Sequence, residues 1–232
     1  MSKKAMIETY FQKEVRKLKE DLLEMAAVVE EAIDTAVRCL VNRDSELARK
    51  TFEAEDKINA MDIAIDTMCL KLLALRQPVA TDLRFIVSAM KIRSDLERMG
   101  DQAVNVAERA IALNKAPQLN PYDIPRMAEI TQSMVKDAVD AFLNRDPKLA
   151  RSVCERDDLV DGLNDQAVGE FLTYMTPDSK TVARAISLMI VARCLERIAD
   201  HATNIAEDII FMVDALVIKH RADTKKEKNR ET

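Results

Sequence analysis

The residues best able to do chemistry sit in two related segments. "LERMGDQAVNVAE" (residues 96–108) carries Glu97, Asp101, Asn105 and Glu108. It returns as "LERIADHATNIAE" (residues 195–207) with Glu196, Asp200, Asn204 and Glu207, and 8 of its 13 positions are identical. On a helix turning about 100° per residue, Glu97, Asp101 and Glu108 fall within roughly 40° of arc, with Asn105 beside them. Carboxylates gathered on one face repel unless protons, basic partners or cations neutralise them. Donor sets made only of oxygen suit hard cations such as Mg²⁺ or Mn²⁺, with Fe and Zn as further candidates. The competing reading is that these acids are solvated, with Arg98 and Arg197 as their partners.

The helix before each segment offers opposing residues. Asn59 lies 19 positions before Pro78 and Glu97 lies 19 after it; Glu55 lies 23 before and Asp101 lies 23 after. An antiparallel hairpin turning at Pro78 brings these pairs level. In the second copy Asp157 and Asp161 hold the places of Glu55 and Asn59. They stand 20 and 16 positions before Pro177, whereas Asp200 and Glu196 stand 23 and 19 after it. That three-residue mismatch is about one helical turn, so the hinge must absorb it.

The elements that position these residues also recur. "NRDSELAR" (42–49) returns as "NRDPKLAR" (144–151), so the whole unit is duplicated. Each copy reads as three long helices, over 5–41, 45–75 and 82–114, then 121–144, 147–175 and 179–220. "NRD" separates the first two helices of each copy. "RQPVATD" supplies Pro78 with Thr81 or Asp82 as N-cap, and "TPDSKT" supplies Pro177 with Asp178 or Ser179. "NKAPQLNPYDIP" joins the halves. The third helix carries an apolar ladder of Phe85, Ala89, Ile92, Leu96, Met99, Ala103, Val106, Ala110 and Leu113. The sixth runs Leu188, Val191, Leu195, Ile198, Ala202, Ile205, Ile209, Met212 and Leu216, and the second Ile58, Met61, Ile65, Met68, Leu72 and Leu75. Steps of three and four are those of a coiled-coil-like seam. The expected fold is all-α: two tandem three-helix bundles over 1–116 and 117–220, elongated in the manner of spectrin repeats, with a charged tail over 221–232.

Composition agrees. Of 232 residues, 48% are hydrophobic while only 3 are Gly and none is Trp, a mix that favours helix over sheet. A net charge of -5, with "KKEKNR" (225–230) the only basic cluster, disfavours nucleic-acid binding. The N-terminus "MSKKAMIETYF" has no signal-peptide core, and the longest apolar run, "AISLMIVA" (185–192), is too short to span a membrane. Cys39, Cys69, Cys154 and Cys194 form no CxxC pattern and read as reduced thiols of a cytoplasmic protein.

Enzyme signatures are missing. No Gly-rich phosphate loop, nucleophile elbow or Ser/His/Asp order occurs. His201 follows Asp200, but a ferritin-like site needs Glu-x-x-His on one face, and the residue three before His201 is Ile198. His201 reads as an exposed residue at the motif's edge, and His220 lies near the tail.

The duplicated unit, "RQPVATDLR" at the first hinge and the paired "LERxxDxxxNxAE" helices together resemble the PhoU family, over roughly residues 5–218. That resemblance implies a cytoplasmic regulator of phosphate uptake and of the phosphate-starvation response. It implies action at the membrane through partners, the phosphate-specific ABC transporter and a sensor histidine kinase, and restraint of the response when phosphate is plentiful. It also implies metal ions at E/D-xxx-D motifs. Carried onto this chain, these are Glu97/Asp101, Glu196/Asp200, Asp157/Asp161 and Glu55/Asn59; Asn59 removes an acid and weakens the first site. Homodimerisation is a further expectation. The leading function is therefore a non-enzymatic, metal-binding adaptor. A metal-dependent phosphatase built on Asp157, Asp161, Glu196 and Asp200 is the first alternative, and a carboxylate-rich iron-binding protein the second.

Overall fold

The computed structural model describes residues 3–175 and 181–214. Six helices follow in order: α1 (Lys3–Val41), α2 (Glu46–Arg76), α3 (Ala80–Asn114), α4 (Ile124–Asn144), α5 (Pro147–Met175) and α6 (Val182–Asp214). Among the described residues there is no strand. Helices α1, α2 and α3 pack on one another, as do α4, α5 and α6, which is the duplicated three-helix arrangement expected from the repeat. Pro177, Asp178, Ser179, Leu216, His220 and the basic tail lie outside the described residues.

The two bundles meet along α3 and α6, with α1 touching α4 as well. One continuous core therefore runs through both halves. The α3 ladder from Phe85 to Leu113 is buried throughout, as is the α6 ladder from Leu188 to Met212. Both helices also bury a second stripe, Ile86, Gly100 and Ala107 on α3 and Ala192, Ala199 and Ala206 on α6. A helix buried on two sides is central rather than peripheral. Phe85 of α3 stacks on Phe142 of α4 with ring centroids 5.6 Å apart. Lys91 of α3 bonds the buried Asp208 of α6 at 2.7 Å.

On α2 the stripe is narrower. Ile58, Ile65 and Leu72 are buried, Met61 and Met68 are half-buried, and Leu75 is 67% exposed. The expected ladder thus ends at Leu72; in the last turn Leu73 packs against the core and Arg76 bonds Glu14 of α1 at 2.9 Å, so Leu75 is turned outward. Gly100 explains how closely α2 approaches α3: a Cβ there would lie 2.9 Å from Ile58 Cδ1.

The breaks are repeated features. In each "NRD" the arginine is left-handed, Arg43 at φ 55° and Arg145 at φ 50°, which stops the preceding helix. The following aspartate then accepts a backbone N–H of the next helix: Asp44 from Glu46 at 3.1 Å, and Asp146 from Lys148 at 2.9 Å. The Pro78 hinge differs from expectation. Val79 is the N-cap of α3, so Thr81 and Asp82 lie inside the first turn. Asp82 places negative charge where the helix dipole favours it.

No helix of the described residues is long and apolar enough to cross a membrane. All four cysteines are free; Cys39, Cys69 and Cys194 are buried and Cys154 is half-buried.

Candidate metal centre

The carboxylates of the second copy come together in the groove between α5 and α6. One oxygen from each of Asp157, Asp161 and Asp200 lies within 4.8 Å of the others. That spread is within reach of one hard cation, whose ligand oxygens sit about 2.0–2.6 Å from the ion. Among the described residues this is the one group of three or more acidic, histidine or cysteine side chains so arranged.

The three-residue mismatch counted from Pro177 does not keep the acids apart: Asp157 and Asp161 of α5 come level with Asp200 of α6. In the first copy, where the hinge is described, Glu55 stands 21 residues before Arg76, the end of α2, and Asp101 stands 21 after Ala80, the start of α3.

Their environment disfavours charge. Burial raises the Asp157 carboxyl most, then the neighbouring Asp161 and Asp200; its pKa is pushed up to about 6 from 3.8. The Thr203 hydroxyl draws it partly back, although neither Asp157 Oδ1 nor Thr203 Oγ1, both buried, makes a hydrogen bond of good geometry. Asp161 and Asp200 keep more contact with water, yet their carboxyl ends are crowded, and burial leads in raising both. Asp200 also raises Asp161, while His201, Arg193 and Arg197 draw Asp200 downward. Glu196 is raised by burial first and by Asp200 and Asp161 after the opposing Arg193. Its Oε1 accepts a bond from Arg193 Nη1 at 2.6 Å, and its Oε2 is buried without a partner. Two orphaned buried carboxylate oxygens beside a carboxylate trio are groups that ordinarily have a partner. A cation would satisfy them, so the donor set fits one: Asp157, Asp161 and Asp200 as ligands, with Glu196 next to them.

The first copy is arranged differently. Burial raises Glu55, followed by Asp101, Asp56 and Glu108; Glu97 is raised by burial, then by Asp101 and Asp62. Asn59 is exposed and brings no charge. Arg93, half-buried on α3, donates to Asp62 and also to Asp66 at 2.6 Å on α2. By the repeat offsets, Asn164 and Val168 replace these aspartates and Ala192 replaces Arg93. An internal arginine thus neutralises the first copy's groove in part, and the second copy has lost that device.

The remaining predicted positions divide. Glu108 acts on Glu55, and Glu207 acts on the Cys154 thiol, which burial pushes up to about 11. Asn105 is half-buried on α3. Asn204 turns to Asp95 of the other bundle at 3.4 Å. His201 corrects the sequence reading: its side chain is only 14% exposed, and Nδ1 lies 2.9 Å from Asp95 Oδ1 across the α3–α6 seam. Nothing in the sequence signalled Asp95, because its partner comes from a helix 106 residues away.

Comparison with known proteins bears on the whole arrangement. A family model described as "PhoU domain" matches residues 22–110 and 124–209. The chain is 45% identical to the phosphate-specific transport system accessory protein PhoU homolog of Aquifex aeolicus, over 90% of this chain and 95% of that protein. It is 40% identical to the homolog of the same name from Pseudomonas aeruginosa, over 92% of this chain and 89% of that one. The crystal structure of PhoU from Pseudomonas aeruginosa superposes with a TM-score of 0.87 at 40% identity, covering 89% of this chain and all of that one. That of the phosphate transport system regulatory protein PhoU from Streptococcus pneumoniae superposes at 0.84 and 29% identity, covering 90% and 99%.

Proposed function

The chain belongs to the PhoU family, and from that premise we propose that it is a negative regulator of the phosphate-starvation response and a modulator of phosphate uptake. Its relatives are named as accessory proteins of phosphate-specific transport, and a role in regulating phosphate transport follows for this chain. In the proposed mechanism it is an adaptor. Long helix faces dock a phosphate ABC transporter and a sensor histidine kinase from the cytoplasmic side, and contact with the membrane is only through those partners.

The metal centre is the second part of the proposal. The observation that carries it is the Asp157–Asp161–Asp200 trio between α5 and α6. A divalent or iron-type cation there would tie two helices together. It would bias the adaptor toward one conformation only if it binds that conformation better. The protein's own residues supply the rest: Arg193 holds Glu196 at the rim, and the α5–α6 packing keeps the acids level. The role is regulatory, not catalytic.

Deletion in the source organism tests the regulatory claim. With phosphate abundant, the deletion strain should express phosphatase as if starved and should take up phosphate abnormally. Unchanged expression and uptake across phosphate levels would refute it. Purified, metal-loaded protein should leave phosphate esters intact; turnover that Asp200→Asn abolishes would favour the phosphatase reading instead.

A further inference from the structure

At the seam between the bundles, α3 and α6 line a cleft of about 430 Å³ with Arg98, Gln102, Arg197, Asp200, His201 and Asn204. Arg98 and Arg197 are equivalent positions of the repeat, so the cleft straddles the relation between the two halves. Both are exposed. Among the described residues neither makes a hydrogen bond or an ion pair, although Arg98 lies near enough to act on Glu97 and Arg197 to act on Glu196 and Asp200. Gln102 adds a buried Oε1 position without a partner, and an amide end can be turned to present either its oxygen or its NH₂. Asp95 is already engaged by His201 and Asn204. Two guanidinium groups with an uncommitted amide beside them are groups suited to a tetrahedral oxyanion, since the guanidinium fork matches phosphate oxygens two at a time.

One wall opposes an anion. Asp200 lines the cleft and also belongs to the carboxylate trio. We propose that the Arg98–Arg197 cleft binds a phosphate-type oxyanion, and that Asp200, shared with the carboxylate trio, couples anion binding to cation occupancy of that trio. With the trio empty, the charge of Asp200 offsets one arginine and the cleft is weak. With a cation on Asp200 that arginine, Arg197, is released and the cleft tightens. The coupling, though not the cleft itself, rests on the metal-centre reading above. Linkage makes it reciprocal: the anion should strengthen cation binding by the same factor.

Calorimetric titration of the full chain with orthophosphate, with and without Mg²⁺, tests this. Asp200→Asn removes the opposing charge with no metal present and separates the two claims. Without Mg²⁺ it should bind orthophosphate about tenfold more tightly than the wild type, a change expected for one nearby charge. The double variant Arg98→Gln/Arg197→Gln should lose binding while melting like the wild type, since both residues are exposed. Mg²⁺ should tighten phosphate binding to the wild type but not to Asp200→Asn. ADP, titrated against Asp200→Asn without metal, distinguishes a free anion from the phosphoryl end of a larger molecule. Binding of either that needs both arginines supports the cleft. Binding of neither, or binding indifferent to the arginines, overturns it. If Asp200→Asn binds but Mg²⁺ has no effect on the wild type, the cleft stands and the coupling falls.

Discussion

Asp157→Asn should stabilise the metal-free protein and weaken its response to metal, two effects of opposite sign from one substitution. The Asp157 pKa is pushed from 3.8 up to about 6 by burial and by Asp161 and Asp200. The folded state therefore holds this proton more tightly than the unfolded state. Stability from this group is complete below about pH 4 and is lost as the pH rises through about 6. A rise of roughly two pKa units would be about 3 kcal/mol for a fully buried group, but Asp157 is only part-buried and water screens it, which leaves about 1–2 kcal/mol of destabilisation at pH 7.5. Asparagine removes that cost but still buries a polar amide, so the net gain is about 1 kcal/mol. In a chain of this size, that raises the metal-free Tm by about 2–4 °C. The wild type should instead gain from metal. A cation at 100 times its Kd adds about 2.7 kcal/mol, and that increment should largely vanish in Asp157→Asn. Differential scanning calorimetry with Mn²⁺ and with chelator reads both effects. If the variant melts below the wild type without metal, or keeps the full Mn²⁺ shift, the description of the trio as a set of strained carboxylates awaiting a cation is wrong.

Further outcomes follow from the same geometry. Protons compete with metal at the trio, so apparent Mn²⁺ affinity should be steady above pH 7 and fall roughly tenfold per unit once the pH drops below about 6; a pH-independent Kd between 5 and 7 contradicts this. Arg93→Ala leaves Asp62 and Asp66, neighbours on α2, half-buried without their shared partner and should cost about 1–3 kcal/mol, lowering the Tm measured at neutral pH by about 2–12 °C. Gly100→Ala should be nearly neutral: the gain in helix propensity of about 1 kcal/mol offsets a 2.9 Å approach to the flexible end of Ile58. Adding Ile58→Val reproduces the Ala199 and Val160 pairing of the second copy, and the double variant should be more stable than either single one in chemical denaturation.

The fold was legible because duplication wrote each signal twice. The α3 and α6 ladders are buried where a three-and-four spacing places them, and both "NRD" breaks fall between helices. Leu75 is exposed because the inward stripe of α2 steps by four from Leu72 to Arg76, which bonds Glu14 of α1, and a ladder that can continue by three or by four does not say which step it takes. Thr81 and Asp82 look like caps by type, but α3 starts two residues earlier than expected, at Ala80 behind Pro78. Within the candidate centre, Asp157, Asp161 and Asp200 were readable from the repeat. Their misalignment when counted from Pro177 did not carry into the structure, where the three acids meet. The contact of His201 with Asp95 and the cleft between Arg98 and Arg197 were not readable. Both arise where the two bundles pack together, and a pattern within one helix carries no information about which face of a distant helix will meet it.

That the carboxylate centre serves phosphate regulation is tested most directly in the source organism. The chromosomal allele Asp157→Asn/Asp161→Asn leaves Asp200 and the arginine cleft intact. Phosphatase activity should be measured in phosphate-rich medium, alongside the amount of the protein in the cell. Normal protein levels are expected, with phosphatase derepressed toward that of the deletion strain. Wild-type repression by this allele would contradict it.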